Sequence, residues 1–94
     1  MKLMAITVNI PALLARHAGG QRQHVVAGAT VREAIDQVTR DYPEFGKRFT
    51  EATLPGNEFV TVYLNDEDAR FAGGLDTPVK AGDDVSIVSA IAGG

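Results

Sequence analysis

Few groups in this 94-residue chain have the type and spacing to do chemistry: His17, His24, the acidic run at residues 65–68, the short glycine stretch before Thr30, Ser86, Ser89 and the carboxylate that follows Gly93-Gly94. A metal site needs several His, Cys or carboxylate ligands at coordinating spacing, and neither histidine has such neighbours, so both are expected on the surface. Counted as a calcium loop from Asp66, the acidic run places Arg70 fifth, Ala72 seventh and Thr77 at the position of the bidentate acid. That pattern predicts an acidic turn instead. The stretch Ala27-Gly28-Ala29-Thr30 lacks the length and the lysine of a phosphate loop, and neither serine sits in a nucleophile elbow. With no cysteine there is no disulfide, no thiolate metal site and no thiol nucleophile.

The terminal carboxylate of Gly94 remains. A carboxylate is a poor electrophile until its oxygen is joined to the phosphate of ATP, which makes an acyl-adenylate open to a sulfur or nitrogen nucleophile. Two glycines suit that task, because without Cβ atoms they can thread a narrow channel and take backbone angles closed to other residues. Residues 91–94, fully extended, reach about 14 Å, far enough to enter a partner's active site. Ordering them opposes binding by about 4 to 8 kcal/mol, so the folded body must dock as well.

Charge points to where docking could occur. The net charge is −3, yet residues 1–50 carry seven Lys/Arg against four acids, whereas residues 51–94 carry only Arg70 and Lys80 against eight. The acidic second half is therefore a candidate face for a basic partner, and the balance speaks against nucleic acid or an anionic membrane. No run approaches the length of a membrane span, and the first residues alternate in a way unlike a signal peptide, so a cytoplasmic location is expected.

The elements that must hold this tail can be read in order. Met4, Ile6, Val8 and Ile10 alternate as one face of a strand that Pro11 ends. A short connection with one helical turn follows, and Gly19-Gly20 reverses the chain into a second strand at residues 21–27. Thr30 and Glu33 form a capping box, and Val31, Ala34, Ile35, Val38 and Tyr42 keep a helical stripe until Pro43 stops it near Arg40 or Asp41. Residues 43–49 read as one helical turn, with a loop at residues 55–57. A strand at residues 59–64, a turn, a very short strand at residues 69–71 and a last strand from Val85 complete the chain. Strand, strand, helix, strand, short strand, strand predicts a two-layer α+β domain of β-grasp order over residues 1–90, with a flexible reactive tail at 91–94. In that order the first and last strands are neighbours, so the tail leaves from the middle of the sheet.

The order, the turn and strand at residues 82–88 and the terminal Gly93-Gly94 together resemble the ubiquitin-like β-grasp sulfur-carrier proteins. These include the small subunit of molybdopterin synthase and the thiamine sulfur carrier. Residues 63–94, and again residues 9–21, are most similar to the sulfur carrier of thiocarboxylate-dependent cysteine biosynthesis. Many relatives carry proline just before the tail, where this chain has Ser89-Ala90.

The resemblance implies that an E1-like adenylating enzyme, which binds the ATP, activates Gly94, and that a sulfur donor converts it to a thiocarboxylate. A pyridoxal-phosphate cysteine synthase would accept the sulfur, and a metallopeptidase would release cysteine from the tail; related carriers supply molybdopterin, thiamine or thiosugar synthases. Gly94 is then the modified residue, and Ile91, Ala92 and Gly93 are the segment inside the partner. The chain itself needs no cofactor and is not expected to be an enzyme.

For Arg70 and Phe71 two readings stand. One is an ion pair to Asp66 or Asp68 beside an aromatic at the edge of the core. The other is a partner contact beside the exiting tail. The alternatives for the whole chain are a protein modifier conjugated through Gly94 and a plain binding module.

Overall fold

The computed structural model describes residues 5–53 and 60–89. β1 (Ala5–Asn9) buries Ile6 and Val8 completely on one face, and Ile10 continues the stripe. Pro11 ends the strand and leads into a single turn, α1 (Ala12–Ala15). Gly19 and Gly20 both take positive φ, +72° and +77°, to reverse the chain. At Gly19 a Cβ would also lie 2.8 Å from the Tyr42 hydroxyl, so both backbone angle and space demand glycine there. β2 (Gln23–Ala27) then pairs antiparallel with β1.

The helix signal at Thr30 is realised in α2 (Val31–Asp41), whose buried residues are Val31, Ala34, Ile35 and Val38. Thr30 Oγ1 accepts from the Glu33 amide at 3.1 Å. Glu33 Oε1 returns the contact to the amide of Ala29 at 2.9 Å, one residue earlier than the reciprocal box expects.

Residues 43–52 depart from expectation: α3 (Pro43–Ala52) is a full ten-residue helix rather than one turn. Pro43 occupies its first turn, where the missing N–H costs nothing and the fixed φ favours helix. Phe45 and Phe49, four apart, stack with ring centroids 5.9 Å apart and are both buried. The loop expected at residues 55–57 lies outside the described residues.

β3 (Val60–Leu64) turns over at Asn65, whose φ is +56°, into β4 (Glu67–Asp68). The residues expected as a very short strand instead form a helical turn, α4 (Ala69–Ala72). The reason is a cap: the Asp68 carboxylate accepts from the Arg70 amide at 2.9 Å, and Gly73 at φ +121° stops the turn. A 3-10 turn at Gly74–Asp76 and a glycine turn at Gly82 lead to β5 (Asp84–Ser89).

The five strands form one mixed sheet in the order β2-β1-β5-β3-β4. β5 runs parallel to β1 and antiparallel to β3, so the last strand occupies the centre, as the β-grasp order predicts. One core joins Ile6, Val8, Val85 and Ile87 of the sheet to α2 and to Phe45 and Phe49 of α3.

The start of β5 is clasped. Asp83, only 6% exposed, accepts from the Lys80 amide at 2.9 Å and from Lys80 Nζ at 3.1 Å. Asn65 bonds to both sides of Asp84, its amide donating to the Asp84 carbonyl at 2.7 Å and its Oδ1 accepting from the Asp84 amide at 3.1 Å. This polar knot fixes the register from which the central strand sets out.

Candidate functional site

The site follows from where β5 ends. Ser89 pairs with Val60 and Val88 with Thr61 on one side, and on the other Ser86 pairs with Asn9 of β1. Alternation puts Val85 and Ile87 in the core and Ser86 and Val88 on the outer face, where Val88 is 45% exposed. Residues 90–94 follow directly. Gly94, Gly93, Ala92 and Ile91, expected to form the reactive tail, lie outside the described residues.

A row of paired residues crosses the outer face partway along β5, three residues before Ser89: Gln23, Asn9, Ser86, Tyr63 and Asp68, one from each strand. Gln23 Nε2 donates to Asn9 Oδ1 at 3.1 Å, and Asn9 Nδ2 donates to Ser86 Oγ at 3.2 Å. Side chains that reach across strands in this way hold β5 in register with β1 and β2 at Ser86. Beside the row, Asn9, Ile10, Gln21, Arg22 and Gln23 line an open hollow of ≈ 630 Å³ at the same end of the sheet.

At the other flank stand Asp68, Arg70 and Phe71. Arg70 Nη2 lies 2.8 Å from Asp68 Oδ2, and Arg70 Nε lies 3.2 Å from both carboxylate oxygens. Hydrogen bonds from the Arg70 side chain, and then from its amide, hold the Asp68 carboxyl below the usual carboxylate range. The guanidinium sits 5.8 Å from the centroid of the Phe71 ring, within cation–π range. Arg70 also lines a cleft of ≈ 220 Å³ with Val60, Thr61 and Phe49, so this flank adjoins the strand that pairs with the end of β5.

One expectation is corrected here: Phe71 is 79% exposed and not a core-edge aromatic, because α4 turns its ring outward while Ala69 takes the buried position. The ion pair expected between Arg70 and Asp66 or Asp68 is formed with Asp68.

The acidic face is also differently placed. Asp66, Glu67, Asp83 and Asp84 gather where β5 begins, opposite the exit. Five steps along β5 separate Asp84 from Ser89, about 17 Å. Nearer the end of β5 stand Arg70, which lines the cleft with Val60 and Thr61, and the exposed side chain of Val88.

The histidines are half-buried rather than on the surface. His24 Nε2 is 2.9 Å from the Gln21 carbonyl, and its ring meets Tyr42 edge-on at 5.5 Å. Among the described residues no group of three His, Cys, Asp or Glu is placed to hold a metal, and no helix is long and apolar enough to cross a membrane. Sequence reasoning misses Val25, 75% exposed, and the amide row; the available signal for Val25 is the Val25-Val26 pair, one of which must face outward on a strand.

Comparison with known proteins adds three findings. The ThiS family model matches residues 8–94. The sulfur carrier protein CysO of Mycobacterium tuberculosis is 41% identical over 93 residues, 97% of this chain and all of that one, and its crystal structure superposes with a TM-score of 0.79 at 39% identity, covering 92% of this chain and 99% of the other. The crystal structure of the BexX/CysO complex from Amycolatopsis orientalis contains a chain 44% identical, with a TM-score of 0.76, covering 96% of this chain and 100% of that one.

Proposed function

Because the chain belongs to the ThiS family, we propose that it is a sulfur carrier whose cargo is held on the carboxyl group of Gly94. The observation that carries the reading is the central placement of β5, parallel to β1, whose end at Ser89 lies in the middle strand of the sheet rather than in an edge strand. A carboxylate oxygen of Gly94 attacks the α-phosphorus of ATP held by an E1-like enzyme, and pyrophosphate leaves. A sulfur nucleophile then attacks the acyl carbon of the adenylate, AMP departs, and one carboxylate oxygen goes with it. The thiocarboxylate delivers its sulfur to a synthase, with cysteine as the destination that the likeness to CysO supports.

The body contributes by docking. The exposed Phe71, held by the Asp68–Arg70 pair, is the aromatic anchor on this reading, and Gly93, Ala92 and Ile91 occupy the partner's channel. That a related CysO forms a complex with BexX supports recognition by partner proteins. A metallopeptidase that releases cysteine from the tail and a cytoplasmic setting complete the proposal.

Masking the carboxylate tests it. A C-terminal extension past Gly94, or deletion of Gly94, should abolish ATP-dependent modification by the activating enzyme while circular dichroism stays unchanged. Undiminished modification of the extended protein would refute the assignment.

A further inference from the structure

β2 is an edge strand, and its hydrogen-bonding phase can be fixed. The Ile10 amide donates to the Arg22 carbonyl at 2.7 Å, while on the other side of β1 the Thr7 amide donates to the Asp83 carbonyl at 3.1 Å. Even-numbered residues of β1 therefore bond to β2, and by the register their partners are Arg22, His24 and Val26. The amides and carbonyls of Gln23, Val25 and Ala27 point the other way, off the sheet.

Open edges are normally blunted by charge, proline, a bulge or brevity. β2 carries no Lys, Arg, Asp, Glu or Pro over Gln23–Ala27, and Val25 is 75% exposed. Beside the edge, between β2 and α2, runs a hollow of ≈ 400 Å³ lined by Val25, Val26, Ala27, Gln37 and Asp41.

We propose that this edge is a self-complementary seam through which two copies of the chain pair antiparallel about a two-fold axis at Val25. In that register Val25 faces the second copy's Val25, and Gln23 faces the second copy's Ala27. These are the residues whose backbone groups point outward, so all three amides and all three carbonyls of each copy find partners. The two exposed valines cover one another.

Charge complements the pairing at its ends. Arg22 of one copy falls opposite Gly28 of the other, and Gly28 lies against Glu33, so closely that a Cβ on the glycine would stand 3.2 Å from Glu33 Cβ. The opposite sheet edge is β4, two residues long and followed by α4, so pairing closes at two copies instead of propagating. β5 lies two strands in from the seam, about 10 Å, and the antiparallel pairing places the ends of the two β5 strands at opposite ends of the joined sheet. A five-residue seam buries less than the roughly 1,000 Å² of a stable interface, so the dimer is weak and forms at sub-millimolar concentrations or above.

Sedimentation equilibrium on the full chain tests this. The weight-average mass of the wild type should rise toward twice the monomer as concentration increases. V25K and V25E should each remain monomeric, since like charges then face across the axis, and an equimolar mixture of the two should regain the dimer. Val25→Pro removes only an outward-pointing amide and should be monomeric with β1–β2 pairing kept. Wild type that stays monomeric throughout, dimerisation that V25K leaves untouched, or a mixture that fails to associate would overturn the proposal.

Discussion

Replacing Phe71 by alanine separates a docking anchor from a structural residue. The ring is 79% exposed, so of the about 200 Å² that a phenylalanine can bury only some 40 Å² is covered by the fold. At about 25 cal/mol per Å² the fold loses about 1 kcal/mol at most. In a complex that covers the remainder, the loss approaches about 4 kcal/mol, and buried aromatic anchors commonly cost about 2 or more. Phe71→Ala should therefore weaken the carrier's apparent affinity for the proposed activating enzyme by roughly 30-fold or more, while the thermal midpoint shifts by a few degrees. The assay is pyrophosphate exchange against carrier concentration, with melting followed by circular dichroism. Unchanged affinity together with a large drop in melting temperature would refute the reasoning, because it would mean that the ring supports the fold.

Three further outcomes are expected. Hydrogen bonds from the Lys80 amide chiefly, with help from the Lys80 ammonium and Asn65, hold the Asp83 carboxyl below the ordinary range despite its burial. Its contribution to stability is present above the unfolded value near 3.9 and is lost as pH falls through the lowered folded value, so Asp83→Asn should flatten the acid limb of a melting-temperature profile. Gly46→Ala, normally favourable in a helix, should destabilise by about 1 to 3 kcal/mol in denaturant titration, because the new methyl overlaps the Thr39 side chain; adding Thr39→Ala should recover most of the loss. Thr30→Ala should cost about 1 kcal/mol in the same titration through loss of the α2 cap.

The sheet is legible in the sequence because its signals are local and agree with one another: Ile6 and Val8 alternate, Val85 and Ile87 alternate, and Thr30 announces its helix. Where sequence and structure part, two physical effects compete. Pro43 disfavours helix at the residue before it yet favours a new one after it, and only packing of Phe45 and Phe49 against the core shows which effect governs residues 43–52. Asp68 serves both as a strand residue opposite Tyr63 and as the cap of α4, a double role that no periodicity announces. The acids that dominate the second half of the chain are countable, but the turn after β3 and the start of β5 carry them away from the exit. Exposure of Phe71 is out of reach for a related reason, since an isolated aromatic between a charge and a small residue fits an inward or an outward ring equally well.

The most direct test of the central claim is the intact mass of the chain after incubation with ATP, the proposed E1-like activating enzyme and a sulfide source. The account predicts a product in which one oxygen is replaced by sulfur, with tandem fragmentation placing the change on Gly94. A demonstrably active enzyme that leaves the mass unaltered, or that places sulfur on any other residue, would contradict it.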